Sequence, residues 1–159
     1  MSFDILFQAL SLFAPILAAN QGAGLARALH LPFGDIPVSV RLLGPNKTVA
    51  AFYMGPICAM AILLLYSDPY WFVEGLVLGG GAILGEQLKS ALKRWLDMRP
   101  GAPWTLDRID FAIGGAVAAK LYFAWVTWEH VFWIILVALP VHIIGNKVSY
   151  TLGLRKTPH

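Results

Sequence analysis

Long apolar runs broken by short polar stretches organise this chain. The first run covers residues 3–19, interrupted by Asp4, Gln8 and Pro15. Further runs cover 49–66, 71–85, 109–128 and 131–145. A helix needs about 20 apolar residues to cross a hydrocarbon core of roughly 30 Å, so each run predicts a membrane span. The third and fifth are short by that measure and lean on flanking aromatics such as Trp71 and Trp128. The first has no basic leader and no small-residue cleavage site, so it reads as a retained span rather than a signal peptide. Between the runs lie a Gly-, Pro- and Arg-containing loop over 20–48, a tight Ser67-Asp68-Pro69 turn and a charged segment over 86–108. The third run is expected to continue as a helix beyond the membrane to about Asp97. No internal repeat or low-complexity segment stands out.

Composition agrees with that pattern. The 159 residues are 58% hydrophobic and 13% charged, against about 25% charged in a typical soluble domain. The expectation is one all-α integral membrane domain over 1–159 with five transmembrane helices. Lys and Arg are one-sided: three lie in 20–48, five in 86–108 and three in the tail after 145, with none in the turns near 67–70 and 129–130. By the positive-inside tendency the N-terminus is outside and the C-terminus cytoplasmic, in a multi-pass cell-membrane protein. Only Lys120 falls inside a run, where it either faces the bundle or snorkels to the outer interface. Trp71, Trp104, Trp128 and Trp133 read as an interfacial belt. Cys58 is the single cysteine, so no intramolecular disulfide exists. The net charge of +3 suits anionic lipid heads or phosphates; no basic stripe interleaved with exposed aromatics points to nucleic acid.

Charge is concentrated from Gly85 to Phe111, which holds Lys89, Lys93, Arg94, Arg99 and Arg108 together with Glu86, Asp97, Asp107 and Asp110. On a helix, Glu86, Lys89, Ser90, Lys93 and Asp97 share a face, with Arg94 beside Ser90. A solvated helix touching lipid head groups accounts for such a stripe. Pro100-Gly101-Ala102-Pro103 then breaks the helix. Asp107 and Asp110 open the fourth run, where capping explains either acid alone, Asp107 as N-cap and Asp110 in the first turn. Both together, facing a basic stripe at one membrane surface, fit a Mg²⁺–phosphate site better, because Mg²⁺ binds through a few carboxylates plus substrate phosphates. On the same side, Gly44-Pro45-Asn46-Lys47-Thr48 opens the second run and can hold phosphate through backbone N–H groups and an ammonium. Asn20 ends the first run, and His142, Asn146 and Tyr150 fall four apart at the end of the fifth; caps or interhelical bonds explain these equally well.

In order, these segments resemble the CDP-archaeol synthase family, CTP-dependent cytidylyltransferases related to phosphatidate cytidylyltransferase. The likeness runs through Leu43-Gly44 with Lys47-Thr48, Gly85-Glu86 leading to Ser90-Ala91-Leu92-Lys93-Arg94, and Arg99-Pro100-Gly101-Ala102-Pro103. It continues through Leu106-Asp107-Arg108-Ile109-Asp110-Phe111 to His142, Asn146, Tyr150 and Leu152-Gly153-Leu154. Two stretches depart from the pattern: Val49-Ala50-Ala51 stands where the family has Trp-Arg-Gly, and Glu86 where it has Asp. The resemblance implies transfer of CMP from CTP to a glycerol-lipid phosphate, of archaeol or phosphatidate type, at the cytoplasmic face. It assigns Asp107, Asp110, Lys93 and Arg94 to catalysis, with Mg²⁺ on Asp107, Asp110 and Glu86. Substrate contacts would come from Lys47, Thr48, Asn46, Lys89, Ser90, Arg108, Asn20 and Asn146. The alternative is a non-catalytic relative acting as a lipid- or nucleotide-binding subunit. A lipid-phosphate phosphatase is disfavoured because Leu92 occupies the position where its motif places a lysine before Arg99-Pro100. A CDP-alcohol phosphotransferase would need an aspartate array around a Gly-Ala-Arg core, which is absent.

Overall fold

In the computed structural model, residues 3–99 and 102–151 are described, and among them the chain forms five α-helices and one 3₁₀ turn. The helices are α1 (Phe3–Ala28), α2 (Val49–Leu65), α3 (Trp71–Trp95), α4 (Asp110–Tyr122) and α5 (Trp128–Thr151), with the 3₁₀ turn at Thr105–Arg108. Pro100, Gly101 and residues 152–159 lie outside the described residues, as do the side chains of Arg27, Asn146 and Tyr150.

The helices match the five runs, within one or two residues for α2 and for α3 with its expected extension, and less closely for α1, α4 and α5. Helix α1 continues past residue 19 to Ala28, because the small residues after Asn20 serve packing rather than a turn: a Cβ at Gly22 would meet Cys58 and the Met54 carbonyl of α2. Asn20 is therefore inside a helix and not at its end. Helix α3 runs 25 residues, about 37 Å, and ends at Trp95. The run at 109–128 breaks early: α4 stops at Tyr122 after 13 residues, about 20 Å, and Phe123 turns extended before α5 begins at Trp128. By length and apolar composition, Phe3–Ala26 and Trp128–Gly145 are each long enough to cross a bilayer, and Val49–Leu65 is a shorter apolar helix.

Three helices end in the same way without glycine. His30, Ser67 and Asp97 adopt positive φ, and the following residue donates back five positions, from Leu31 to Ala26, Asp68 to Leu63 and Met98 to Lys93. This is the Schellman closure, in which a left-handed residue lets the chain cap its own last carbonyls.

The core is formed by α1, α4 and α5 with one face of α3: Phe13, Ile16, Leu78, Ala82, Phe111, Ala116 and Ile134 are buried. Phe111 is fully enclosed, its ring 6.4 Å from Phe13 and 6.3 Å from His142. One close approach matters for the site. A Cβ at Gly85 would strike the Asp110 carbonyl, and one at Gly114 would strike the Gly81 carbonyl. Paired glycines thus bring the start of α4 against the second half of α3.

Candidate active site

The second half of α3 carries the charged stripe, and the tight α3–α4 contact sets two aspartates beside it. Lys89 Nζ lies 2.8 Å from Asp107 Oδ1 and 2.6 Å from Asp110 Oδ2, the latter a close ion contact rather than a well-directed hydrogen bond. One turn on, Lys93 Nζ donates to both Asp107 oxygens at 2.7 and 2.8 Å and to the Ala102 carbonyl at 2.7 Å. The Asp107 carboxylate also accepts the Trp104 N–H at 2.8 Å, and Asp110 Oδ1 accepts the Phe111 N–H at 2.9 Å. Asp107 therefore belongs to the 3₁₀ turn and braces it. The N-cap of α4 is Ile109, so the capping role expected of Asp107 does not hold.

From the other side, the loop before α2 brings Lys47 within 2.6 Å of Glu86 Oε2. Gly44, at positive φ, and the paired amides of Val38 to Lys47 O and Val49 to Ile36 O hold this loop in place. Thr48 is buried at the N-cap of α2 without a side-chain cap bond. Ser90 is taken up locally, its hydroxyl donating to the Glu86 carbonyl at 2.8 Å.

Between these walls lies a cavity of about 210 Å³, lined by Leu43, Gly44, Pro45, Asn46, Lys47, Lys89, Ser90, Lys93, Arg94, Ala102 and Asp107. Four cations thus face one space. Three are held by acids; the buried Nε of Arg94 has no hydrogen-bond partner among the described residues. For Asp107, burial pushes the carboxyl pKa up, but hydrogen bonds from Lys89 and Lys93 outweigh it and the value ends below the ordinary carboxylate one. For Lys89, burial pulls the ammonium pKa down, and Asp110 and Asp107 more than restore it. Both groups are charged at neutral pH.

Seven of the expected residues therefore share the cavity: Asn46, Lys47, Lys89, Ser90, Lys93, Arg94 and Asp107. Asp110 is buried behind it, reached through Lys89, and Glu86 sits behind Lys47. Arg108 is exposed and, like half-buried Asn20, is not part of the lining. The Asn146 side chain is outside the described residues. Asp97 leaves the stripe because the left-handed turn follows the end of α3.

The metal ligands expected at Glu86, Asp107 and Asp110 do not form one group. No cluster of three or more His, Cys, Asp or Glu side chains exists among the described residues, because the Glu86 carboxylate is turned to Lys47. The aspartate pair is what could hold Mg²⁺: two hard carboxylates converge on one point, occupied by the Lys89 ammonium, beside a cavity where a bound phosphate would add oxygen ligands. Gln87 was not anticipated. It is buried, and neither its Nε2 nor its Oε1 has a partner among the described residues. Only its place beside Glu86 marks it in the sequence.

With this geometry in hand, comparison with known proteins is specific. Residues 3–159 match the model of a family described as CarS-like, CDP-archaeol synthase. A CDP-archaeol synthase of Thermofilum pendens is 34% identical over 121 residues, 74% of this chain and 59% of that protein. One from Methanopyrus kandleri is 31% identical over 127 residues, covering 74% and 72%. One from Aeropyrum pernix is 30% identical over 164 residues, covering 98% and 93%. A solved structure described as an intramembrane enzyme for archaeal membrane lipids biosynthesis superposes with a TM-score of 0.72 at 26% identity, over 89% of this chain and 94% of that one. The chain belongs to the CDP-archaeol synthase family.

Proposed function

We propose that the protein is a membrane cytidylyltransferase that transfers CMP from CTP to a glycerol-lipid phosphate of the archaeol type, releasing pyrophosphate. The observation that carries this reading is the cavity itself, where four cations meet above a paired-aspartate site. The named relatives favour archaeol phosphate over phosphatidate as acceptor. They give no support to a purely binding subunit. We take the five helices to cross the membrane with the N-terminus outside, which puts the cavity at the cytoplasmic face where CTP is available.

An oxygen of the lipid phosphate attacks the α-phosphorus of CTP, the bond from that phosphorus to the β-bridging oxygen breaks, and pyrophosphate leaves. The lipid phosphate is the nucleophile, so no reactive Ser or Cys is needed. The protein's work is positioning and charge stabilisation. Lys93, fixed by Asp107 and the Ala102 carbonyl, presents its ammonium at a set point on the cavity wall. Arg94, with no acid partner among the described residues, would take the negative charge that grows on the leaving pyrophosphate. Lys47 closes the opposite wall, steadied by Glu86. Asp107 and Asp110 would hold Mg²⁺, which when bound offsets phosphate charge.

The test is incubation of the purified protein with labelled CTP, Mg²⁺ and either archaeol phosphate or phosphatidate. CDP-lipid should form with archaeol phosphate and be lost in Asp110→Asn. Metal-dependent CTP binding without turnover on either lipid would replace the enzyme reading with the binding-subunit one.

A further inference from the structure

The segment Phe33–Leu42, which leads into the cavity wall, is not built like an aqueous loop. Ile36, Val38, Val40 and Leu42 alternate with less apolar positions, and all four are exposed, at 51, 42, 58 and 63%. Phe33 adds an exposed ring. An irregular segment meant for water would turn polar side chains outward and leave its backbone to be solvated. Part of the backbone is also closed off at the apolar positions, although the Val40 amide donates to no group among the described residues. The Ile36 amide donates to Phe33 O, the Val38 amide to Lys47 O and the Leu42 amide to Ser39 Oγ, while Ile36 O accepts from Val49. A non-helical segment with part of its backbone still open does not enter the hydrocarbon core, but it can rest at the head-group interface with its apolar side chains turned to the leaflet and water still reaching the remaining amides. The charges in the segment, Asp35 and Arg41, are exposed and suit the head-group level.

We infer that Phe33–Leu42 is an interfacial wedge seated in the lipid leaflet on the cavity side of the membrane. The occupant of its apolar stripe is the leaflet itself. Continuity supports this assignment, because the stripe ends at Leu42 and the next residue, Leu43, lines the cavity. One wall of the phosphate cavity then faces lipid rather than cytosol. That places the entry of a lipid phosphate from the leaflet along this wall; this last step rests on the proposed function, whereas the seating of the wedge does not.

The seating is tested without turnover. In a Cys58→Ser background, Val38→Cys, Val40→Cys and Leu42→Cys are each spin-labelled and reconstituted into phospholipid vesicles, with Asp97→Cys as a water-exposed reference. Power saturation then compares access by oxygen, which partitions into lipid, with access by a water-soluble nickel chelate. At 38, 40 and 42 oxygen should relax the label several-fold more than nickel, with the order reversed at 97. Nickel access at all three sites equal to that at 97 would overturn the inference. So would dipolar broadening with neither reagent favoured, since that would mean a second protein copy covers the stripe. Three separate label positions keep the result independent of the folding of any one variant. Absence of CDP-lipid synthesis in the unsubstituted protein, with oxygen still favoured at the three sites, would count against the functional reading alone.

Discussion

Lys89 is the residue through which the charge balance of the site is set, because it touches both aspartates. The sign of its pH dependence follows from the two shifted groups. Asp107 is held below its ordinary value of 3.8, so its contribution is present above that value and is lost as pH falls through the lowered one. Lys89 is held above 10.5, so its contribution is present below that value and is lost as pH rises through the raised one. The stability difference between wild type and Lys89→Met should therefore be flat through neutral pH and shrink in strong acid, as read by thermal midpoints in detergent. Arg94 is the contrasting case. Its Nε engages no protein group, so Arg94→Ala should leave the thermal midpoint nearly unchanged while lowering kcat/KM about 100-fold, the scale of losing one oriented charge donor. Gln87 gives a third test at this scale. A buried amide with neither end paired costs about 1–3 kcal/mol, so Gln87→Met should hold or raise stability in chemical denaturation. A marked loss instead would show that an ordered water or ligand group meets the amide.

At the level of elements, the α3–α4 contact decides whether the aspartates reach the lysines. Gly85→Ala places a methyl against the backbone oxygen of Asp110, which cannot swing aside as a side chain can. Overpacking of this kind costs about 1–3 kcal/mol. The expected outcome is a lower thermal midpoint together with a disproportionate fall in kcat, because the Lys89–Asp110 distance opens. Gly80→Ala, where a Cβ meets nothing within 4 Å, is the matched control and should change neither. The existence of these helices was legible in the sequence, and so were the limits of α2, the turn at Ser67 and the end of α3 near Asp97; the end of α1, the early stop of α4 and the start of α5 were not. Of the three left-handed closures, those at Ser67 and Asp97 fall where the sequence placed a turn and a helix end, whereas His30 lies in what read as loop; at each, hydrogen bonding to the preceding turn accompanies the positive φ of a side-chain-bearing residue. Likewise the glycines after Asn20 looked like loop and turned out to be the seam between α1 and α2. The ion pairs were only half legible: residue type and spacing pointed to an acidic and a basic group at one surface, but Glu86 chooses Lys47 across 39 positions of chain, which no local pattern encodes.

For the molecule as a whole, the break at Phe123 changes the question of how the chain crosses the membrane. Helix α4, about 20 Å long, is shorter than a hydrocarbon core of roughly 30 Å, so an aqueous or protein-lined recess has to meet one of its ends. The buried start of α4 at Asp110, facing Lys89, is the polar end and lies behind the cavity wall that Lys89 forms. The site is therefore expected to sit below the head-group plane, within the membrane profile. Orientation and depth are testable in one experiment. In the Cys58→Ser background, Asp68→Cys marks the α2–α3 turn, Asp97→Cys the segment after α3, and Ser90→Cys the cavity. In sealed right-side-out vesicles a membrane-impermeant maleimide should modify only Asp68→Cys. After opening the vesicles, Asp97→Cys should react fully. Ser90→Cys should react slowly with the bulky reagent and readily with a small charged thiosulfonate, whose access CTP should block. Labelling of Asp97→Cys in sealed vesicles would reverse the orientation. Rapid reaction of Ser90→Cys with the bulky maleimide would place the cavity in the open aqueous phase, and the recess argued from the length of α4 would then be wrong.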